Sequence, residues 1–308
     1  MNTKERFQEL NNPLGVHPIN WSNDDFQDLG GDTPLETCFQ QMHAAGYSGT
    51  EVGNKYPQDP DTLRPLMDSF QLRLIGGWHS TYLADKEYAE EEERFLEYLK
   101  FLKSMNASVV ILAECSNAIH GDESQPLKFG PEMIELTEEQ WSRVYEGLDK
   151  LSELAASEGL PAVYHHHMGT AVQSESALDA LMANTQKLNL LFDTGHLAFA
   201  GIDPGSILER YIDRIAHVHL KNIRPSIVER VREEELSFGQ AVRAGVFTVP
   251  GDETEGEPGV NYPPLLDRLA EYGYKGWYVV EAEQDPEKAD PQECALKARN
   301  YLRKTTGL

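Results

Sequence analysis

The chain has 308 residues, of which 40% are hydrophobic and 25% charged, and this ordinary globular usage excludes a disordered or fibrous protein. Its formal net charge of -24 at pH 7 repels phosphate backbones and anionic lipid, so we expect no nucleic acid and no membrane as a partner. No apolar run suits a signal peptide or a membrane span, and Cys38, Cys115 and Cys294 form no CxxC pair. We therefore expect a cytoplasmic protein.

Short apolar runs alternate with longer amphipathic stretches along the whole chain. The first such stretch, residues 33–46, has helical spacing of apolar residues and a glycine stop at Gly46. Further helices are predicted to start near Asp61, Tyr88, Thr137, Ser174, Asp203, Pro263 and Pro286. The eight predicted strands are LGVHPI (14–19), GTEVG (49–53), LRLIGGW (72–78), SVVILAE (108–114), PAVYHHH (161–167), LNLLFD (188–193), RIAHVHL (214–220) and WYVVEAE (277–283).

Eight strand and helix pairs in strict alternation favour an α/β protein of one domain, a (β/α)8 TIM barrel spanning residues 1–308. An open doubly wound sheet is the alternative, but it should show a GxGxxG turn after an early strand, and no such turn follows any of the eight. The connection at about 222–260, between strand 7 and its helix, is unusually long. Long connections tend to be lids or binding loops.

Polar side chains are concentrated at the carboxyl ends of the predicted strands, where a barrel forms its active site. Because side chains alternate along a strand, His165 and His167 share one face, and His166 points the other way. Imidazoles and carboxylates from strands 5 to 8 predict a mixed N/O site for one divalent ion such as Mn, Co, Fe, Mg or Zn. The full set of polar strand-end residues is His17, Glu51, His79, Glu114, His165, His166, His167, Asp193, His217, His219, Glu281 and Glu283.

Three segments in the last strands, FDTGH (192–196), HVHLKN (217–222) and VVE (279–281), resemble the xylose-isomerase-like barrels. That family includes sugar isomerases, epimerases, dehydratases and apurinic endonucleases. A larger set, which reaches from position 15 to 286, is similar to the myo-inosose-2 dehydratases within this family. The set consists of GVHPINWSNDD, TEVGNKYP, GGWHSTY, YHHHMGT, GVFTVPGD and VVEAEQDP.

The resemblance implies one bound metal, with His165, Asp193, His219 and Glu281 at the ligand positions. Most relatives have Glu where this chain has His165, so His167 on the same face is an alternative ligand. In the same way Glu283 is the alternative to Glu281. His196 lies three residues after Asp193, and we expect it to contact the substrate or to support a ligand.

The resemblance also implies a reaction, the removal of water from 2-keto-myo-inositol to give a trihydroxycyclohexane dione in inositol catabolism. Mn2+ or Co2+ and, in some members, glutathione are the implied cofactors, and the implied partner is a small polyhydroxylated cyclic ketone. A sugar or cyclitol isomerase or epimerase is the alternative, because the same metal and base would generate an enediolate. The sequence allows a homo-oligomer but does not indicate its size.

The reaction needs a base and an acid beside a polarised carbonyl. We predict that Glu51 or His79 transfers the proton and that Lys221 polarises an oxygen. Alternatively, Glu51 and His79 contact substrate hydroxyls, the lysines form surface salt bridges, and the tryptophans belong to the core. The residues predicted to bind substrate are His17, Trp21, Lys55, Trp78, Glu114, His167 and His196.

Overall fold

The computed structural model describes residues 2–130, 133–253, 256 and 258–308. Within these residues the main sheet is parallel throughout, in the order β3-β2-β1-β11-β8-β7-β6-β5-β4. Its strands are β1 (Leu14–Val16), β2 (Gly49–Thr50), β3 (Arg73–Leu74), β4 (Trp78–Thr81), β5 (Val110–Glu114), β6 (Ala162–His165), β7 (Asn189–Asp193), β8 (Ile215–Leu220) and β11 (Tyr278–Val280).

The two end strands of this order, β3 and β4, are successive pieces of one chain segment, so the sheet closes on itself. Ile75, between the two pieces, donates its N–H to Thr50 O (2.8 Å) and accepts from Ser108 N (2.7 Å), which joins β2 to β5 across the segment. The predicted TIM barrel is therefore confirmed. The third strand is broken at Gly76 and Gly77, where a Cβ would lie 2.7 Å from Val109 and 2.0 Å from the Tyr98 hydroxyl.

Helices surround the barrel. Most of them start at residues whose side chains can cap a helix. Asp59, Thr137, Ser174 and Asp203 accept hydrogen bonds from N–H groups of the following turn. No helix of the described chain is long and apolar enough to cross a membrane. The helices that pack around the barrel are α1 (Thr3–Leu10), α2 (Leu35–Ala44), α3 (Pro60–Ser69), α4 (Tyr88–Ser104), α5 (Glu138–Ser157), α6 (Glu175–Asn184), α7 (Thr194–Ala200), α8 (Pro204–Tyr211), α11 (Tyr262–Tyr272) and α12 (Pro291–Thr306).

One helix boundary differs from the sequence prediction, and two helices, α1 and α7, were not predicted. The last helix starts at Pro291 rather than Pro286, because the Asp290 carboxylate caps it by accepting from Glu293 N at 2.8 Å. The first helix, α1, precedes the first predicted strand, and a short helix, α7, directly follows Asp193.

The connection after β8 contains a small substructure of its own. It consists of β9 (Asn222–Ile223), α9 (Pro225–Glu233), α10 (Phe238–Ala244) and β10 (Phe247–Thr248), and β9 pairs antiparallel with β10. Its apolar side chains pack on Phe26 and Met168 from other rim loops. Arg243 pairs with Asp28 (2.7 Å) and Glu123 (2.7 Å) on two further loops. The insertion therefore covers one side of the rim at the carboxyl ends of the strands.

The barrel interior is apolar at one end and polar at the other. Val109, Ile111, Val163 and Leu191 form one buried cluster, and Ile75, Trp277 and Val279 form another. Farther along the same strands the buried residues are imidazoles and carboxylates. The apolar layers stabilise the barrel by burial, whereas the polar layer carries a cost that its members must offset by pairing or by binding a cation.

Candidate active site

A cavity of about 370 Å³ opens at the carboxyl ends of the strands, the usual location of active sites in this fold. Its volume lies in the range of small-molecule sites. Eight of the residues selected from the sequence line it: His17, Glu51, Trp78, His165, His167, His219, Glu281 and Glu283.

Four side chains from strands β6, β7 and β8 and from the end of β11 converge at the base of this cavity. We call His165, Asp193, His219 and Glu281 the open cluster. His165 Nε2 lies 3.2 Å from Asp193 Oδ2, and His219 Nδ1 lies 3.6 Å from the same oxygen and in direct contact with Glu281 Oε2. All four are buried. They are also the four residues at the metal-ligand positions implied by the sequence.

The two carboxylate oxygens of Asp193 have different roles, because one caps a helix and the other faces the open cluster. Its Oδ1 accepts hydrogen bonds from the N–H groups of Gly195 and His196, both at 2.8 Å, and so caps α7. Its Oδ2 remains directed at His165 and His219. Burial acts to raise the pKa of Asp193, but the positive charge of Lys221 and the neighbouring imidazoles hold it well below its usual range. This carboxylate therefore offers one charged oxygen to a cation.

His219 is oriented by the carboxylate of Glu51. Its Nε2 lies 3.0 Å from Glu51 Oε1, which can only accept, so Nε2 carries a hydrogen and Nδ1 is the nitrogen directed at Asp193 and Glu281. Among the described residues, His219 Nδ1 has no hydrogen-bond partner of acceptable geometry. A carboxylate behind a histidine is the usual support for a metal-binding imidazole.

The charge balance of the open cluster favours a cation. Burial acts to lower the pKa of His219, but the carboxylates of Glu281 and Glu51 raise it well above the ordinary value. The carboxylates of the cluster therefore favour a positive charge close to His219 Nδ1, Asp193 Oδ2 and Glu281 Oε2. The residues fit a divalent metal, because imidazole nitrogens and single carboxylate oxygens form the mixed donor set that Mn2+, Co2+ and Zn2+ accept.

A second group of ligand-type side chains lies beside the first. We call His167, His196, Glu283 and Lys221 the lysine cluster. Lys221 Nζ lies 3.0 Å from His196 Nε2, 3.2 Å from Glu283 Oε1 and 2.5 Å from Glu281 Oε1. Lys221 and His196 are 0% exposed, and neither lines the cavity. The predicted role of Lys221 in polarising a substrate oxygen does not fit this position, nor does a direct substrate contact of His196.

The DTGH segment (193–196) explains how both clusters are held. Asp193 caps α7, and Thr194 Oγ1 donates to Lys221 O at 2.8 Å, which ties the helix start to the end of β8. Gly195 is needed for space, because a Cβ there would lie 2.4 Å from Lys221 Cγ. His196 then points its Nε2 at the lysine ammonium.

His167 presents a free ring nitrogen at the cavity wall. Its Nδ1 lies 2.8 Å from the carbonyl oxygen of Met168. A carbonyl can only accept, so Nδ1 carries the hydrogen and Nε2 keeps its lone pair. Glu283 Oε1 lies 3.6 Å from Nε2, too far for a hydrogen bond. This tautomer suits a proton acceptor.

Glu51, predicted as a proton-transfer residue, lies at the cavity but is already engaged. His217 Nε2 lies 2.6 Å and His219 Nε2 3.0 Å from its Oε1. Burial acts to raise the pKa of Glu51, but these two histidines hold it well below the usual range. A carboxylate so strongly stabilised in its charged form is a weak base, and the geometry favours a role in orienting His219.

His79 and Glu114 point away from the cavity, so the roles expected of them do not fit the structure. His79 stacks on Tyr98 (ring centroids 5.6 Å apart) and packs against Phe95 on α4, and burial lowers its pKa to about 4. Glu114 accepts from Thr81 Oγ1 (2.8 Å) and from backbone N–H groups, including Leu83 N (3.0 Å). Both lie on the strand face that packs against the helices.

Trp21 and Lys55 also lie outside the cavity lining, whereas Trp78 is part of it. Trp21 is 1% exposed in the main core, and its Nε1 donates to Gln41 Oε1 at 2.5 Å. Lys55 Nζ donates to the carbonyl oxygens of Gly30, Gly31 and Thr33. Their expected substrate contacts therefore do not fit. Of the two selected tryptophans, Trp78 is the one that lines the cavity, edge-on to His165 and His167.

Three acidic or imidazole side chains of the cavity wall were not selected from the sequence: Asp24, Asp25 and His120. All three lie on loops after strands β1 and β5, where no periodicity indicates a facing direction. Desolvation at the cavity wall raises the pKa of Asp25 to about 6, although the residue is exposed to solvent. Burial and His167 lower the pKa of His120 to about 3. In the sequence, the run NDD (23–25) after the first strand was the feature that could have indicated Asp24 and Asp25 as site residues.

Comparison with known proteins places the chain in a family. The xylose isomerase-like TIM barrel family matches residues 39–305. Inosose dehydratase from Geobacillus thermodenitrificans is 45% identical and covers 98% of this chain and 100% of its own length. Inosose dehydratase from Clostridium botulinum is 43% identical, with coverage of 96% and 97%.

A comparison of structures agrees. The crystal structure of the IOLI protein with a zinc atom has a TM-score of 0.65 at 15% identity, covering 96% of this chain and 98% of that chain, which shows a shared fold. The chain therefore belongs to the xylose isomerase-like TIM barrel family, in which it has inosose dehydratases as full-length relatives.

Proposed function

We propose that this protein is an inosose dehydratase, which removes water from 2-keto-myo-inositol to give a trihydroxycyclohexane dione in inositol catabolism. The observation that carries the proposal is the open cluster at the base of a cavity in a chain 45% identical, over 98% of its length, to an inosose dehydratase. A small cyclic ketone fits a cavity of about 370 Å³.

The metal ligands in this proposal are His165, Asp193, His219 and Glu281. Their donor atoms converge, and those of His165, Asp193 and His219 lie within 4.8 Å of one another. A divalent ion held there would act as a Lewis acid that makes the C–H beside the substrate ketone acidic. We propose Mn2+ or Co2+, and the requirement for glutathione is tested by leaving it out of the assay.

The proton beside the ketone is taken, in this proposal, by His167 Nε2. Its lone pair is left free by the bond of Nδ1 to Met168 O, and the side chain lines the cavity. This assignment replaces Glu51, which orients His219, and His79, which lies outside the cavity. Trp78 forms the wall against which the substrate ring packs, and His17 lies beside it in the cavity lining.

The hydroxyl group leaves as water only if it receives a proton. Asp24, Asp25 and His120 are unassigned groups of the wall with shifted pKa values, and Asp24 already accepts a hydrogen bond from Asn54 N at 2.9 Å. With a pKa of about 6, Asp25 carries a proton in a useful fraction of molecules near neutral pH. With a pKa of about 3, His120 is neutral there, and neutral imidazole is a poor acid. We assign Asp25 as the proton donor.

The proposed cellular setting is the cytoplasm. Cys38, Cys115 and Cys294 are all buried and unpaired, as expected in a reducing compartment. The net charge of -24 at pH 7 disfavours nucleic acid as a substrate.

Incubation of the purified protein with inosose and Mn2+ tests the proposal. Dehydration should produce the ultraviolet absorbance of a conjugated dione. Formation of an epimer or isomer without that absorbance would assign the protein to the isomerase and epimerase alternative, and no turnover of inosose with Mn2+ or Co2+, with and without glutathione, would refute the proposed substrate.

A further inference from the structure

The ammonium group of Lys221 is surrounded by the kinds of atoms that bind metals. Within 4 Å of Nζ lie His196 Nε2 (3.0 Å), Glu283 Oε1 (3.2 Å), Glu281 Oε1 (2.5 Å) and Asp193 Oδ2 (3.9 Å). The remaining side is closed by the ring of Phe247, whose centroid is 4.6 Å away. One nitrogen and three carboxylate oxygens surround this buried ammonium group. The same set of atoms could coordinate a metal ion.

These donors would also suit a divalent ion. Donor atoms of His167, His196 and Glu283 lie within 4.8 Å of one another, and so do those of Asp193, His196 and Glu281. The two triads share His196, and Lys221 Nζ lies against both. Glu283 Oε2 is buried and has no hydrogen-bond partner within the described chain, so this carboxylate has an oxygen to spare.

The position of the lysine is built into the fold. Gly195 leaves the space for its stem, since a Cβ there would meet Lys221 Cγ, Cβ and Cδ at 2.4 to 2.8 Å. Glu281 faces both clusters, with Oε2 toward His219 and Oε1 toward Lys221. An ion in place of the ammonium would therefore share Glu281 with the metal of the open cluster, as neighbouring ions do in two-metal sites.

We propose that the Lys221 ammonium occupies a second cation position, and that its removal converts a site for one divalent ion into a site for two. The inference rests on the proposed metal site of the open cluster. In the native protein the lysine supplies a single positive charge among Asp193, Glu281 and Glu283, and it excludes a second ion by occupying the place between their oxygens.

Metal content measures this directly. Wild-type protein and the variants Lys221→Ala and Lys221→Gln are stripped with chelator, equilibrated with Mn2+, freed of excess ion and measured by elemental analysis. We expect one ion per chain in the wild type and two in each variant. Electron paramagnetic resonance of bound Mn2+ should change from the resolved hyperfine lines of an isolated ion to the broadened signal of a coupled pair.

Two control variants make the result specific. Lys55→Ala removes a lysine whose Nζ, in the described part of the chain, donates to three backbone carbonyl oxygens, and it should leave the stoichiometry at one. The double variant Lys221→Ala/Glu283→Gln removes a donor of the second position and should return the stoichiometry to one.

Folded Lys221 variants that bind a single ion, while the wild type also binds one, would overturn this inference alone. A wild type that binds none would instead refute the proposed metal site. If the variants unfold when stripped, Mn2+ should restore folding with two ions bound. Failure of both variants to fold at any Mn2+ concentration would also count against the proposal.

Discussion

The open cluster and the lysine cluster contain the same types of side chain at the same rim of the barrel, but they differ in access. His165, His219 and Glu281 of the open cluster line the cavity, as do His167 and Glu283 of the lysine cluster, whereas Lys221 and His196 are 0% exposed beneath the insertion after β8. In the lysine cluster a cation of the chain itself balances the carboxylates. In the open cluster His219 Nδ1 and the oxygens of Asp193 and Glu281 face one another.

The difference shows that ligand-type residues do not by themselves define a metal site. Burial of a carboxylate requires a positive partner in either case. Where Lys221 fills the place between the carboxylates, the result is a structural ion-pair network. Where the donors face the cavity instead, they remain available to a metal that can also reach substrate. Substitutions that act on one cluster and spare the other test this distinction.

The largest effect is expected for Asp193→Asn, which removes a charged oxygen from the open cluster but keeps an oxygen to cap α7. Loss of the metal withdraws several kcal/mol of transition-state stabilisation, so dehydration should fall about 10,000-fold. Bound Mn2+ and the initial rate of dione formation are the measurements. Asp203→Asn is the matched control, because Asp203 caps α8 in the same way away from the cavity. Equal losses in both variants would contradict a specific role for Asp193.

Next in size is His167→Gln, which removes the proposed base from the edge of the lysine cluster. We expect kcat to fall about 1,000-fold, within the range for a positioned acid–base group, with one Mn2+ still bound. The adjacent His166→Gln is the control, because His166 is buried on the opposite face of the strand and does not line the cavity. Retention of most of the wild-type kcat in His167→Gln would refute the assignment of the base.

Asp25→Asn extends the comparison to the loop after β1. We expect a loss of about 100-fold in kcat, at the lower end for a general acid. The protonated form of Asp25 declines as pH rises through its pKa of about 6, so the alkaline limb of the wild-type pH profile should be absent in the variant. Asp28→Asn, on the same loop but paired with Arg243, should keep both the rate and the profile. An unchanged alkaline limb in Asp25→Asn would remove Asp25 from the mechanism.

The smallest effect is one of stability, in the lysine cluster. Gly195→Ala forces a methyl group against the Lys221 stem and should lower the free energy of unfolding by about 1 to 3 kcal/mol. Gly205→Ala is the matched control, since Gly205 also lies two residues after a capping aspartate, yet its nearest contact would be Asp203 Oδ2 at 3.3 Å. Urea denaturation of both variants measures the difference. Equal stability of the two would mean that the Lys221 stem is not tightly held.

The alternation of side-chain direction along a strand correctly predicted several of the residues that face the cavity, and a stricter use of it would have excluded others. Strand and helix alternation was enough to predict the barrel, and the spacing of His165 and His167 predicts that both face inward, where the structure has them. The same spacing argues against selecting both Trp78 and His79, because neighbours on a strand face opposite ways. Trp78 faces the cavity and His79 the helices. Glu114 is excluded in the same way, since Val109 and Ile111 fill the interior.

Other features depend on tertiary contacts that no local pattern contains. Asp24, Asp25 and His120 lie on loops, where direction is set by packing against other loops. Alternation does place Lys221 on the face of His217 and His219, but its burial comes from the insertion that brings Phe247 over it. The sequence therefore predicts which residues face the rim, and the insertion determines which of them can reach a substrate.

Removal of the metal tests the central claim most directly. Protein dialysed against a chelator until elemental analysis finds no divalent ion is assayed with inosose for the absorbance of the dione, before and after Mn2+ is added back. We predict no dehydration above background in the stripped protein and recovery of the full rate when one Mn2+ is bound per chain. Full activity of the metal-free protein would contradict the account.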